Sequence, residues 1–213
     1  MKKYLITIIA ALIISVPAVS QANLLNGDFE SGTIGQFGQA TIDNWTTYGT
    51  SGWYHPDYNH TPGGERAIKI WWDDTAAYQD FSVTAGVPYD FSGYAYTPSG
   101  GDALGAGWNG LFKVEWLSGD TKIAEDEIGR FFGGTDPVDI WKYLPGTYTA
   151  PSGADTGRIV LTLINADPTW QLPHTGAVGW DDINVAAVPE PSSLMLLGTG
   201  LLGLLGLGRK RKR

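Results

Sequence analysis

Aromatic residues are concentrated in segments that the sequence predicts to be loops. The chain has 213 residues, of which nine are tryptophan and ten are tyrosine. An exposed aromatic ring stacks on a sugar ring, whose axial C–H groups are apolar, while nearby polar side chains fix the hydroxyl groups. The sequence therefore predicts a carbohydrate-binding surface, unless these rings fold inward and cover the sheet edges. The predicted ligand-binding residues are Trp53, Tyr54, Tyr58, Trp108 and Trp170.

The remaining reactive side chains do not form a familiar catalytic or zinc-binding pattern. Carboxylates occur in the runs 73–74 and 125–127, but adjacent residues of a strand point to opposite faces, and a glycosidase needs two carboxylates about 5–10 Å apart. His55, His60 and His174 lack the short, fixed spacing of a zinc motif. We therefore expect no enzyme activity, with a polysaccharide-active enzyme as the less favoured alternative.

The middle of the chain is strongly acidic. Seven of the 14 basic residues lie in segments 1–22 and 189–213, together with one of the 22 acidic residues. Seven basic and 21 acidic residues remain between them, a net charge near −14. Such a field repels nucleic acid and anionic lipid heads, so we expect no nucleic-acid partner. It suits neutral ligands such as sugars, although solubility alone also explains it.

The first 22 residues have the order of a secretory signal peptide. Lys2 and Lys3 precede the apolar run 5–16, and the small residues Ser20 and Ala22 follow. We expect cleavage after Ala22. A permanent membrane helix is the alternative, but the apolar run is shorter than the ~20 residues that a span requires.

The C-terminal segment 188–213 combines three features. Pro189, Glu190 and Pro191 are followed by the apolar stretch 194–208 and the basic cluster 209–213. We predict a short transmembrane helix whose basic end stays in the cytoplasm, which places the middle of the chain outside the cell. A plain single-span anchor is the alternative.

These three features resemble the PEP-CTERM sorting signal. The resemblance implies that Pro189, Glu190 and Pro191 are recognised by an exosortase, a membrane cysteine protease-transpeptidase. It further implies that the tail is removed near the motif and that the protein accompanies exopolysaccharide production. We therefore expect a secreted or cell-surface protein that is transiently anchored in the inner membrane.

Residues 23–187 show the pattern of one all-β domain. Short apolar runs alternate with Gly, Pro and Asp turns, without helical periodicity, and predict an antiparallel β-sandwich of roughly ten strands. Trp71, Trp116 and Trp180 fall in predicted strands and are expected in the core. Residues 102–110 and 166–176 are predicted to be long surface loops. The predicted strands are 67–72, 78–83, 88–97, 111–117, 121–128, 158–165 and 177–185.

Carboxylates occur in motifs at the two ends of the predicted domain. Period-2 alternation predicts that Asp181 shares a face with Ile183 and Val185, where a carboxylate needs a partner. Glu30 is a candidate neighbour if the two ends of the domain meet.

Segments 26–30, 83–91 and 181–183 resemble parts of the carbohydrate-binding-module and galactose-binding-like jelly rolls. The resemblance implies a jelly roll and sugar binding. It also implies a structural calcium between Glu30 and Asp181, completed by backbone carbonyls. Oxygen ligands of this kind suit calcium. The alternatives are that both carboxylates only accept backbone hydrogen bonds, and that the protein is a structural extracellular-matrix component without a defined ligand.

Overall fold

The fold is almost entirely β. The computed structural model describes residues 24–55, 58–71, 75–165 and 176–188, which contain thirteen strands and one 3-10 turn at Gly100–Asp102. The strands are β1 Gly32–Thr33, β2 Gly35–Gln36, β3 Thr41–Ile42, β4 Thr46–Tyr48, β5 Gly52–His55, β6 Ala67–Trp71, β7 Ala76–Ser82, β8 Pro88–Tyr96, β9 Trp108–Ser118, β10 Thr121–Phe132, β11 Lys142–Thr149, β12 Thr156–Asn165 and β13 Ala177–Ala187.

Two antiparallel sheets form the body of the domain. The five-stranded sheet has the order β10-β9-β12-β7-β4, and the six-stranded sheet has the order β11-β8-β13-β6-β5-β2. Strands β1 and β3 form a separate small pair. The chain crosses repeatedly from one sheet to the other, for example between β8 and β9 and between β12 and β13, which confirms the predicted all-β sandwich. The expected signal peptide and C-terminal helix lie outside the described residues.

The core follows the period-2 pattern of the strands. Along β8, Tyr89 and Phe91 point inward, as the alternation predicts, and both are almost fully buried. Trp116 of β9 packs edge-on against Phe91, with ring centroids 6.0 Å apart. Trp180 of β13 packs against Phe112 of β9 at 6.4 Å. These contacts across the two sheets confirm that Trp116 and Trp180 belong to the core.

Strand β11 was not predicted, and its position in the sheet explains why. Pro145 and Gly146 interrupt its sequence and suggest a turn. β11 is the edge strand of the six-stranded sheet and pairs with β8 alone within it. Proline is tolerated at an edge, where its missing N–H costs no ladder bond.

The predicted surface loop 102–110 is partly core. Leu104 is 3% exposed and Trp108, where β9 begins, is 1% exposed. The Thr97 hydroxyl accepts a hydrogen bond from the Leu104 N–H at 2.9 Å and donates one to the Ala177 carbonyl at 2.8 Å. This buried contact draws the segment inward. Most of the second predicted loop, residues 166–175, lies outside the described residues.

No helix within the described segments is long and apolar enough to cross a membrane.

The first motif of the domain closes against the last strand. The Ile183 N–H donates to the Gly27 carbonyl at 2.8 Å. A Cβ on Gly27 would lie 2.0 Å from the Ile183 carbonyl oxygen. A residue without a side chain is therefore needed here, because two backbone segments pass in contact.

We expect Gly27→Ala to destabilise the domain by roughly 1–3 kcal/mol, the usual cost of forcing extra volume into a packed site. Chemical denaturation measures this change. Gly101→Ala is the matched control, because a Cβ there meets no atom within 4 Å. Equal stability of the two variants would contradict the close approach.

Candidate functional site

A β-bulge in β13 turns Asp181 away from the core. The pairing of β13 with β8 shifts register just after Asp181, and Asp182 has φ of 50°. Asp181 lies opposite Tyr94, which faces out of the sandwich, whereas Ile183 is buried between the sheets. The expectation that Asp181 shares the face of Ile183 is wrong, because the extra residue of a bulge reverses the alternation of side chains.

Asp181 and Asp182 bind one end of a loop that lies over the six-stranded sheet. We call residues 58–66 the covering loop. Asp181 Oδ2 accepts the N–H groups of His60 at 2.6 Å and Thr61 at 3.2 Å. Asp182 binds His60 Nδ1 at 2.6 Å and the Thr61 hydroxyl at 2.5 Å. The covering loop thereby seals Asp181, which has no exposed surface.

Burial raises the pKa of Asp181 to about 6. Desolvation of the carboxylate is the main cause, and the backbone hydrogen bonds from His60, Asp182 and Thr61 oppose it. The nearby charge of Asp182 adds to the increase. Keeping the ionised Asp181 carboxylate buried therefore lowers the stability of the folded state.

Glu30 binds the other end of the covering loop. Its Oε1 accepts the Asn59 side-chain amide at 3.0 Å and the Arg66 N–H at 3.1 Å, and the Glu65 N–H reaches both oxygens at 3.0 and 2.9 Å. A Cβ on Gly64 would lie 2.3 Å from Oε1. Glu30 and Asp181, the two predicted metal ligands, therefore both bind the covering loop. This agrees with the expectation that they are neighbours if the two ends of the domain meet.

The contacts of these carboxylates match the hydrogen-bonding alternative. An ionised carboxylate has about four acceptor positions. Those of Asp181 are taken by His60, Thr61 and Asp182 donors, since its Oδ1 accepts the Asp182 N–H at 2.8 Å and the Thr61 hydroxyl at 3.3 Å. Within the described part of the chain, no group of three or more Asp, Glu, His or Cys residues is arranged to hold a metal. Calcium at Glu30 and Asp181 stays a prediction.

Aromatic rings form a strip on the outer face of the six-stranded sheet. The His60 ring stacks on Tyr94 at 3.6 Å, and Tyr94 contacts Tyr143 at 5.1 Å. Tyr96 contacts Trp141 at 5.0 Å and Tyr58 at 5.1 Å. We call this group the aromatic face. Its members are Tyr58, His60, Tyr94, Tyr96, Trp141 and Tyr143.

A glycine in β13 allows the rings to meet over the sheet. A Cβ on Gly179 would lie 3.7 Å from each of Tyr58, Tyr96 and Trp141. The strip therefore bridges β13 without a side chain of that strand rising between the rings.

Lys69 extends the strip toward the far edge of the sheet. Its ammonium lies 5.3 Å from the centre of the Tyr58 ring and 5.7 Å from that of Trp71, and Trp71 stacks on Trp53 at 6.3 Å. From β11 to β5 the strip crosses four strand spacings, about 19 Å at ~4.8 Å per spacing.

Polar groups surround a cavity beside the Tyr143 end of the strip. Its volume is about 310 Å³. Asp90 and Ser92 of β8, Thr147 of β11 and Asn184 of β13 line it together with Tyr143. Carboxylate, hydroxyl and amide groups therefore lie next to the aromatic face on the same surface.

The predicted ligand-binding residues divide into three groups. Tyr58 lies on the aromatic face, and Trp53 is half-buried at its far end. Tyr54 has no exposed surface and Trp108 is 1% exposed. Trp170 lies outside the described residues.

For Tyr54 and Trp108 the prediction of an exposed ring is wrong. The Tyr54 hydroxyl donates to the Phe29 carbonyl, and Trp108 enters the core where β9 begins. For Trp71 the prediction of a core position is wrong. Its ring is half-buried and stacks on Trp53.

Five members of the aromatic face, all except Tyr58, are absent from the predicted ligand-binding residues. Tyr94 and Tyr96 occupy outward positions of β8, on either side of the inward residue Ala95, so the alternation of this strand already contained the signal. Trp141 directly precedes β11 and Tyr143 is its second residue, and this strand was not predicted.

Known proteins resemble this chain in two separate respects. Residues 187–212 match the model of the PEP-CTERM protein-sorting motif. The chain therefore carries this sorting motif, which indicates export and processing by an exosortase. No curated protein matches the sequence.

The sandwich is similar in fold to carbohydrate-binding modules. The CBM22-2 xylan-binding domain of Paenibacillus barcinonensis Xyn10C superposes with a TM-score of 0.52 at 14% identity, covering 73% of this chain and 98% of that one. The CBM22-1-GH10 modules of Clostridium thermocellum xylanase 10B give a TM-score of 0.50 at 17% identity and 80% coverage of this chain. Bacteriophage CBA120 tailspike protein 4 gives a TM-score of 0.50 at 14% identity and 78% coverage.

These similar structures differ in the share of their own length that this chain covers. This chain spans 28% of the xylanase and 21% of the tailspike, but nearly the whole of the isolated module. At these identities the similarity concerns the fold.

We expect the stability of the domain to fall as the pH rises from about 4 to about 6. The pKa of Asp181 is about 6 in the fold and near 3.9 in an unfolded chain, so the folded state binds more protons in this window. The loss amounts to roughly 3 kcal/mol at 1.36 kcal/mol per pKa unit. Urea denaturation in chelator-treated buffer measures it. Asp181→Asn should flatten the profile, and Asp120→Asn, at an exposed turn, should not. A flat wild-type profile would contradict the buried acid.

Calcium at Glu30 and Asp181 predicts a higher thermal midpoint in millimolar calcium than in chelator. A ligand that binds only the folded state adds about 2.7 kcal/mol at a hundredfold excess over its Kd. Glu30→Gln should lose this gain. Glu65→Gln, at an exposed position of the same loop, should keep it. Midpoints that do not respond to calcium would assign both carboxylates to hydrogen bonding alone.

Proposed function

We propose that this is an exported, exosortase-processed extracellular protein whose sandwich binds a neutral polysaccharide without cleaving it. The observation that carries the proposal is the aromatic face. The carbohydrate-binding modules of similar fold support it. The extracellular matrix, into which exopolysaccharides are secreted, is the setting that the sorting motif favours.

The aromatic face combines the two kinds of group that sugar recognition needs. Rings on neighbouring strands offer apolar surfaces for the C–H faces of successive sugars. The polar groups of the adjoining cavity offer donors and acceptors for hydroxyl groups. A strip that crosses several strands suits an extended chain rather than a single sugar.

The charges of the domain favour a neutral polymer. All seven Lys and Arg residues between 23 and 188 lie in the described part of the chain. Six of them form ion pairs with carboxylates, namely Lys69, Lys113, Lys122, Arg130, Lys142 and Arg158. The seventh, Arg66, donates to the carbonyls of Glu30 and Gly32. An anionic polymer would meet repulsion from the excess carboxylates without a basic cluster to offset it.

The opposite outer surface has a different chemistry. On the five-stranded sheet, Lys113 bonds Glu115 at 2.8 Å and Glu125 at 3.0 Å. Arg158 forms a two-pronged pair with Asp80 at 2.6 and 2.9 Å. Paired charges of this kind are typical of a solvated surface, so the aromatic face is the better candidate for binding.

The carboxylates of the run 125–127 are engaged in ways that support a binding role. Glu125 accepts from Lys113 and Lys122, and Glu127 pairs with Arg130. Asp126 accepts the Trp116 indole N–H at 2.7 Å. These groups are occupied as structural partners rather than held ready for proton transfer.

We expect the protein to bind a neutral polysaccharide, such as xylan or galactan, more tightly than a uronate polymer. Tyr143→Ala should weaken this binding roughly two- to tenfold, because a lost stacking contact costs about 0.5–1.5 kcal/mol. Isothermal titration calorimetry and tryptophan fluorescence measure the affinity.

Tyr48→Ala is the control for this change. Tyr48 is 64% exposed and Tyr143 is 52% exposed, but Tyr48 lies on β4 of the other sheet. A flat response to every neutral glycan would support the structural matrix component instead. Equal losses in the two variants would remove the aromatic face as the site, and hydrolysis of a bound polymer would establish an enzyme.

A further inference from the structure

The end of β13 is tied to the start of β8. Ala187 pairs with Tyr89, and the Val188 N–H donates to the Pro88 carbonyl at 2.9 Å. On its other side, Pro88 pairs with Thr149 of β11. Pro189, the first residue of the Pro-Glu-Pro sequence, follows Val188 directly, so no spacer separates that sequence from the end of the sandwich.

The reach of the chain limits where an enzyme can bind the motif. Three residues of extended chain span at most about 11 Å. Pro191 is the third residue after Val188 in the sequence, so this reach limits how far from the sandwich an enzyme can hold the motif. A folded domain of 100 residues already has a radius of gyration of about 13 Å. An enzyme that encloses Pro189 to Pro191 in its active site must come into contact with this end of the sandwich.

Detachment of the end of β13 would add little to the distance between the sandwich and an enzyme that holds the motif. Val185 is 3% exposed, and the Ile183 N–H is bonded to the Gly27 carbonyl. Release that spares these contacts is confined to 186–188, about 10 Å of extended chain. Contact between the enzyme and the sandwich is therefore the less costly arrangement.

Two turns beside Val188 form the surface that an enzyme would meet. The Gly86 N–H donates to the Ala150 carbonyl at 2.8 Å, and the Ala150 N–H donates to the Val87 carbonyl at 3.0 Å. These bonds join the turn 84–86 to the turn 151–153. We call this surface the sorting end. The exposed residues of the two turns are small and uncharged, namely Thr84, Ala85, Gly86, Ser152 and Gly153, and the exposed Asp155 lies just beyond the second turn.

We propose that the sorting end is a docking surface for the exosortase that reads Pro189 to Pro191. The small side chains of the two turns permit the close approach that the missing spacer requires. The proposal depends on processing of the tail and is independent of glycan binding.

Tryptophan substitutions at the sorting end test the docking. Ala85→Trp combined with Ser152→Trp adds bulk without changing the net charge of the domain. In the full chain, expressed in a bacterium that has an exosortase, the double variant should slow tail removal roughly five-fold or more. Mass spectrometry of pulse-labelled protein measures the fraction that retains residues 192–213.

Thr135→Trp is the matched control. Thr135 is exposed in the turn that follows β10 at the other end of the sandwich, so it should be processed at the wild-type rate. The thermal midpoints of the same variants should be close to that of the wild type, which shows that they are folded. Wild-type processing of the double variant would overturn the proposal.

A flexible Gly-Ser spacer of about ten residues between Val188 and Pro189 gives a second test. It frees the motif from the sandwich, so the two tryptophans should no longer slow processing. A spacer that alone makes processing faster than in the wild type would show that the sorting end is an obstacle, and would overturn docking. A wild-type chain that keeps its tail would overturn it as well, while leaving glycan binding to be judged separately.

Discussion

The fold of the candidate site depends on three carboxylates that hold one loop. Glu30 comes from the first motif of the domain, and Asp181 and Asp182 come from its last strand, yet all three bind residues of the covering loop. Several of the donors are backbone N–H groups, so the contacts fix the path of the loop largely without regard to its side chains. The burial of Asp181 is unfavourable by itself and is partly offset by three backbone hydrogen bonds, from His60, Thr61 and Asp182. The loop that these bonds hold places Tyr58 and His60 over the six-stranded sheet.

The bulge and a glycine make the surface beneath that loop suitable for aromatic rings. The bulge sends Asp181 outward while Ile183 continues to fill the core, so one strand serves both layers. Gly179 leaves the centre of the sheet flat. The other sheet bears paired charges on its outer surface, and its own register shifts lie in the pairing of β10 with β9. The bulge and Gly179 of β13 thus shape only the surface that bears the aromatic rings.

Local pattern predicted the strands better than the site. The alternation of β8 placed Tyr89 and Phe91 inside correctly, because a half-buried strand has a simple period. The aromatic residues assigned to loops were harder to judge, since the burial of Tyr54 depends on Phe29, which is 25 residues away. The orientation of Asp181 could not be predicted from a period of two, because a bulge breaks that period. The sequence offered Glu30 as a neighbour of Asp181 only if the two ends of the domain meet. The hydrogen bond between Ile183 and Gly27 brings those ends together.

The bond between Ile183 and Gly27 joins positions separated by almost the entire domain. Contacts this distant in sequence carry a large loop-closure entropy and slow the folding of β proteins. During translocation, the segment around Gly27 must wait until the final strand has emerged before it acquires its partner. The sandwich can therefore be completed only after β13 has emerged, so the maturation of the domain and the arrival of the sorting motif coincide in time.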